Sequence, residues 1–372
     1  MDKKTLCFAT MCKNNEHNIL KLLNNIYKYI DYWVINDTGS TDNTIDVINN
    51  FFKDKNIPGE LHKDNWVSTG YNKTLLFDKC YKKTDFIIYL DCDDILEGYI
   101  PTNKLHLDNI GYNFLVKTCS IFNKEIIIFN NNYKWKASDL IYDKITCINN
   151  YEQKQVGFLT DNIIVTRNKD CNCNCLNEEH YNKALLLQEQ FFNTLMLEND
   201  DMNTRIVFYT AQSYYNSENY NESLKWYKLY TKIKNIQDEE LYESYNKIVS
   251  CMIYLTYKLE SIIFYASKSI YLFKDRAEIY YILCNYFIEF EQYDLAFFNI
   301  IKASECNLKK VKQKYSSFID ENSYYDKIKY LISFLAYKTE NYEYGLNIFK
   351  EITIDCDEKR ELEKLYNSIT PF

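Results

Sequence analysis

Three stretches of the C-terminal half repeat one another: SENYNESLKWY (217–227), FEQYDLAFFNI (290–300) and TENYEYGLNIF (339–349). Each carries Glu, then Asn or Gln, then Tyr, then a small or apolar helix start. Tyr220 and Tyr293 lie 73 residues apart, about two units of a helical-hairpin repeat of roughly 34 residues. Tyr293 and Tyr342 lie 49 apart, one such unit plus an insertion near 304–324. A degenerate middle copy is expected within 239–275. A generic helical bundle would not need the repeated E-[NQ]-Y element. Stacked helix pairs that bury a shared core do need a recurring turn. The chain has 7 Gly and 3 Pro in 372 residues, too few turn-formers for a fold of tight β-hairpins.

The N-terminal half reads differently. Thr5–Met11, Tyr32–Ile35 and Phe86–Leu90 are apolar runs of strand length. Between them, Asn15–Ile30, Thr41–Phe52 and Thr69–Lys82 carry helical periodicity, with Thr41 or Asp42 as a cap. This order predicts a parallel sheet with covering helices, and ligands then sit at the carboxyl ends of the strands. Phe114–Ile121 and Glu125–Phe129 read as further strands, and Tyr133–Asp143 as a loop or short helix. The expected fold class is α/β followed by all-α, with domains at 1–180 and 181–372.

The formal net charge is −8 and no Lys/Arg block forms a stripe, which disfavours nucleic acid as a partner. The N-terminus lacks a secretory pattern and no apolar run has membrane-spanning length. With 13 scattered cysteines, the expectation is a cytoplasmic protein with free thiols and no membrane span.

Two strand ends carry chemistry. In YLDCDDIL (89–96), Asp91 and Asp93 flank Cys92, and alternate residues of an extended chain point the same way. Two converging carboxylates suit a hard divalent cation, Mg²⁺ or Mn²⁺, bridging a diphosphate. A bare D-x-D is also what a solvated acidic turn looks like, and Cys92 reads as packing. In WVINDTGSTDNT (33–44), Asp37 ends a strand, Gly39 permits a tight turn, and Ser40 and Thr41 offer hydroxyls near a helix start.

Together with CFATMCKNNE (7–16), INDTGSTDNT (35–44), YLDCDD (89–94) and the WVSTGYNKT segment (66–74), the chain resembles the family 2 glycosyltransferases, which have the GT-A fold. The stretch RIVFYTAQSYYNSENYNESLKWY (205–227) looks like the branch of that family with C-terminal tetratricopeptide repeats. Ala211, Tyr214, Tyr220, Ser223 and Tyr227 occupy its small and aromatic positions. The resemblance implies a mixed, mainly parallel sheet followed by tetratricopeptide-like helices. It also implies a metal-dependent inverting glycosyltransferase that uses a nucleotide sugar, UDP-linked by preference, and a protein or glycan acceptor.

Carried over, Thr10 and Asp37 hold the base and ribose. Asn72, Lys73, Asp91 and Cys92 lie along the donor, with Lys73 where Arg is usual. Asp91 and Asp93 hold Mn²⁺ or Mg²⁺. Asn15 stands where the family usually has Glu, and Glu16 beside it is the substitute. The His-Glu pair expected after Trp135 is missing, so Asp139, with Asp143 behind it, is the candidate general base and Asp94 its rival. The repeats would offer a surface for the acceptor or for self-association.

The CNCNC run at 171–175, with His180 nearby, lacks zinc-finger spacing and reads as an interdomain loop. Arg167 and Lys169 before it could help hold phosphate. A nucleotidyltransferase would need a Gly-rich loop after the first strand, and MCKN (11–14) has no glycine. A catalytically degenerate scaffold that binds partners through its repeats is the non-enzymatic alternative.

Overall fold

The computed structural model describes residues 4–138, 145–148, 155–160, 162–167, 175–194, 200–324, 326–352 and 357–368. The chain forms two compact units, Met1–Cys119 with Asn123–Cys171, and Ser120–Phe122 with Asn172–Phe372. The first is a mixed, mainly parallel sheet with covering helices and the second is a helical-hairpin repeat.

In the first unit β1 (Leu6–Cys12), α1 (Glu16–Ile26), β2 (Tyr32–Asp37), α2 (Thr44–Lys55), β3 (Gly59–Lys63), α3 (Thr69–Cys80) and β4 (Phe86–Tyr89) alternate. Then come β5 (Asp94–Glu97), β6 (Gly111–Thr118), β7 (Ile121–Asn130, whose first two residues count with the second unit), β8 (Trp135–Ala137), β9 (Ile145–Cys147), β10 (Val156–Phe158) and β11 (Ile164–Arg167). The strands lie in the order β3-β2-β1-β4-β7-β6-β11-β5, with β10 beside β6 and a separate β8-β9 pair. β3, β2, β1 and β4 are mutually parallel, so Cys12, Asp37, Lys63 and Tyr89 end at one rim.

The central strand β1 is apolar on both faces. Leu6 and Phe8 join Ile19, Leu22, Ile48 and Phe52 under α1 and α2, while Cys7 and Ala9 join Leu76, Phe77 and Tyr89 under α3. This period-2 division buries both sides of the strand, as a helix-covered parallel sheet requires.

Several expectations shift. The second helix starts at Thr44 rather than Thr41, because Asp42 accepts the Thr44 N–H at 3.1 Å and holds residues 38–43 as a loop. Residues 94–97 form β5, paired antiparallel with β11. In the segment expected as loop or short helix, Trp135–Ala137 is a strand, its Trp135 indole donating to Asn130 O at 3.0 Å. Asp139, Asp143, Lys169, Cys171 and Cys173 lie outside the described residues. Free thiols are found at Cys7, Cys12, Cys80, Cys92, Cys147, Cys251, Cys284 and Cys306, but Cys119 is held in a disulfide, against the expectation of free thiols throughout. No helix among the described residues is long and apolar enough to cross a membrane.

In the second unit the helices are α4 (Cys175–Thr194), α5 (Asp200–Asn216), α6 (Tyr220–Tyr230), α7 (Asp238–Tyr254), α8 (Leu259–Leu272), α9 (Glu278–Glu289) and α10 (Tyr293–Ser304). α11 (Leu308–Lys314), a two-residue strand β12 (Ile319–Asp320), α12 (Asp326–Lys338), α13 (Tyr342–Lys350) and α14 (Asp357–Asn367) follow. The repeated tyrosines Tyr220, Tyr293 and Tyr342 each open the second helix of a hairpin.

The preceding glutamates Glu218, Glu291 and Glu340 take left-handed φ values of 61°, 54° and 62°. The residue after each donates back across the end of the first helix: Asn219 to Tyr214 O, Gln292 to Phe287 O and Asn341 to Ala336 O. This is one Schellman turn used three times. The middle copy, α7–α8, makes the same turn at Thr256 (φ 53°), where sequence similarity has faded. The expected insertion holds α11 and β12.

Candidate active site

The rim where β1, β2 and β4 end is built from loops that hold one another. Asn14, at a left-handed φ of 51°, accepts the Thr41 N–H through its side chain at 2.7 Å, and its own N–H donates to Ser40 Oγ at 2.9 Å. The Asn15 N–H donates to Thr44 Oγ1 at 2.8 Å, and Glu16 Oε2 accepts the Asn43 N–H at 3.1 Å. Thus the hydroxyls of Ser40 and Thr44 and the carboxylate of Glu16 hold the first two loops together. Asp37 is 2% exposed, and its oxygens accept from Gly39 N at 3.2 Å and Ser40 N at 3.1 Å. Gly39 takes φ +106°, which an L side chain would strain. In this geometry Asp37 shapes the β2–α2 loop.

The acidic turn lies beside it. Asp91 is partly exposed and its Oδ1 accepts from Tyr89 OH at 2.6 Å. Cys92 is buried, donating its thiol to Met11 O at 3.0 Å, with Thr10 Oγ1 at 3.6 Å. Burial pushes this thiol up to about 12, so it is neutral at ordinary pH. Asp93 is exposed.

Asp94 is 1% exposed. Its Oδ2 accepts the Asp91 N–H at 3.0 Å and its Oδ1 accepts from Arg167 Nε at 3.2 Å. Burial pushes its carboxyl up to about 7, with Arg167 pulling the other way. Arg167 also donates from Nη1 to Glu125 Oε2 at 2.7 Å and has Asp91 Oδ2 at 3.9 Å. Burial would lower this guanidinium, but Glu125, Asp94 and Asp91 raise it above its ordinary value.

A cleft of about 610 Å³ opens on this turn, lined by Asn15 just before α1, by Asn18 and Lys21 of α1 and by Asp91 through Ile95. Of the residues named from sequence, Asn15, Asp91, Cys92, Asp93 and Asp94 meet there. Lys73 is buried on α3 with its Nζ 4.6 Å from the Tyr89 ring, and is linked through Tyr89 OH to Asp91. Asn72 is spent on the β3–α3 loop: its Oδ1 accepts from Val67 N and Ser68 N at 2.9 and 3.2 Å, and its Nδ2 donates to Asn65 O.

Sequence reasoning missed Asn18, Lys21 and Glu125. The first two repeat at three-residue steps from Asn15, one helix face running into the cleft. Glu125 is a lone acid in the apolar strand IFNKEIIIFN. Among the described residues no group of three or more His, Cys, Asp or Glu could hold a metal. Asp91 and the exposed Asp93 offer carboxylate oxygens, the kind of ligand that Mg²⁺ and Mn²⁺ take.

No family model matches this sequence, and neither does any curated protein. Among solved structures, the mannosyltransferase PcManGT from Pyrobaculum calidifontis, in complex with GDP-Man and Mn²⁺, is 10% identical. That match covers 73% of this chain and 86% of that one, with a TM-score of 0.38. BtubC from P. vanneervenii is 15% identical over 52% of this chain and 77% of that one, TM-score 0.37. S. aureus TarS is 11% identical over 80% of this chain and 55% of that one, TM-score 0.34. At such scores these likenesses carry no argument about chemistry, which rests on the residues.

Proposed function

We propose that the sheet unit is a nucleotide-sugar-dependent glycosyltransferase. The observation that carries this reading is the pair Asp91 and Asp93, one anchored by Tyr89 and one exposed, at the mouth of a cleft on the carboxyl rim of a parallel sheet. Asp91 and Asp93 would hold Mn²⁺ or Mg²⁺, which supplies neutralisation of the charge that develops on a leaving diphosphate. Lys73, beside Tyr89, and Lys21 in the cleft add positive charge for the donor phosphates. Thr10 and Cys92 fix the turn against β1. The loop shaped by Asp37, with Asn15 and Glu16, takes the nucleoside end, and Asn72 sets the segment opposite.

The finer reading is inversion at the anomeric carbon of a UDP-sugar, with transfer to a protein or glycan hydroxyl. It needs a carboxylate to take the proton from the attacking hydroxyl. Two residues stand for that role, Asp139 from the sequence and Glu125 from the structure. Asp94, with both oxygens accepting and almost no exposure, is assigned to positioning Asp91 instead.

The test is release of nucleotide from a panel of UDP- and GDP-sugars with Mn²⁺, with Asp91→Asn and Asp93→Asn beside the wild type. Turnover that needs metal and is lost in both variants is the expected result. If no donor is bound or turned over, while the variants keep every partner interaction, the scaffold reading replaces this one.

A further inference from the structure

The helical unit buries an arginine that the proposed reaction does not use. Arg276, just before α9, is 0% exposed. Its Nε and Nη2 donate to the Glu278 carboxylate at 3.2 and 2.8 Å. Two further donors go to main-chain oxygens of the insertion: Nη1 to Ser317 O at 3.1 Å and Nη2 to Phe318 O. Glu278 in turn accepts the Asp320 N–H at 3.2 Å, and its other oxygen accepts from Tyr242 OH and Tyr324 OH at 3.2 and 3.0 Å. Glu239, on α7, accepts the N–H groups of Ser316 and Ser317. Phe318 sets its ring 5.5 Å from that of Phe208 on α5.

Main-chain groups of Ser316, Ser317, Phe318 and Asp320 are therefore met by side chains rather than by a neighbouring helix, while Ile319 and Asp320 also pair antiparallel with Phe122 and Ile121 as an added strand. The gripping residues come from α5, α7 and the start of α9, the first helices of three successive hairpins. An ordinary packed loop needs no buried Arg–Glu pair to read its backbone, and burying such a pair is costly. The segment is also held away from its easiest conformation, since Phe318 takes φ 58°, an outlier for a bulky residue. Side chains that read backbone, plus a pocket for one aromatic ring, are what recognition of an extended peptide requires.

We propose that Tyr315–Asp320 is a strap seated in a peptide-binding face of the helical unit, and that this face takes an extended segment of the same kind, paired serines followed by an aromatic, an aliphatic and an acidic residue, from a partner chain when the strap leaves. The inference stands apart from the reaction assigned to the sheet unit.

The probe is a fluorescein-labelled peptide of residues 313–322, QKYSSFIDEN. Its anisotropy is read against the full chain and against the double variant Ser316→Pro, Phe318→Ala. The variant loses one gripped N–H and the ring anchor but keeps Arg276, Glu278 and Glu239. Binding at least 10-fold tighter to the variant than to the wild type is expected. A folded variant that does not bind the peptide, or a wild type that binds it equally well, overturns the proposal. Should the variant not fold, hydrogen exchange on the wild type decides. The Ser316, Ser317 and Asp320 amides are expected to exchange at least 10-fold faster than the central amides of α7 and α9, through an opening of the strap alone. Exchange only together with those helices overturns it equally.

Discussion

Asp93 and Asp94 are neighbours in sequence and opposites in structure. One is exposed at the cleft, while the other is 1% exposed with both oxygens accepting hydrogen bonds. On the proposed function, Asp94→Asn is expected to weaken Mn²⁺ binding by about 10–100-fold, the usual cost of losing a supporting residue, and Glu125→Gln to lower turnover about 10²–10⁴-fold with metal binding kept. Metal titration followed by saturated turnover separates the two. Away from the cleft, Glu60 accepts from Lys83, Tyr32 and His62, and these bonds hold its carboxyl down to about 2. A depressed acid stabilises the fold above its unfolded pKa and loses that contribution as pH falls through the folded value. Melting curves between pH 5 and pH 2 should therefore show wild type losing more stability than Glu60→Gln. The difference should stay below about 1 kcal/mol because the pair is solvent-screened. The acidity of the 91–94 turn was legible in the sequence; the division of labour within it was not. Nor was Asp37's engagement with the Gly39 and Ser40 N–H groups, since a strand-ending aspartate reads the same whether it faces a ligand or its own loop.

At the scale of elements, the E-[NQ]-Y repeat was legible because one turn recurs with one chemistry. The left-handed glutamate carries strain that glycine would not. Glu291→Gly should raise stability by about 0.5–1 kcal/mol, the strain relieved less the added chain entropy. Three residues after each repeated tyrosine stands a small residue, Ser223, Ala296 or Gly345, where the paired helices come close. At Gly345 an added Cβ would lie 2.0 Å from Tyr366 Oη and 2.8 Å from Ala336 Cβ. Gly345→Ala should thus cost about 1–3 kcal/mol despite alanine's better helix propensity, and denaturant titration of both variants checks the pair. The middle hairpin kept the turn at Thr256 and lost the letters, so only its approximate range was readable. β3 was missed because GELHK has no apolar alternation, its residues being half-buried or exposed at the side of the sheet.

At the scale of the whole molecule, each unit is read by its own buried apolar clusters among the described residues. The sheet unit has one on each face, and the helical unit has its own around Tyr227, Ile248 and Leu283. On the proposed function, UDP with Mn²⁺ should raise the melting temperature of the sheet unit, seen by calorimetry, because a ligand stabilises the state that binds it. One consequence follows from β3, the last strand on its side of the sheet. An outermost strand is a template on which another polypeptide can add, the first step toward fibrils. Here Glu60, His62 and Lys63 sit within five residues, and Glu60 is bound to Lys83. An incoming strand would have to strip water from that charge, so the sheet resists growing into an aggregate at that side.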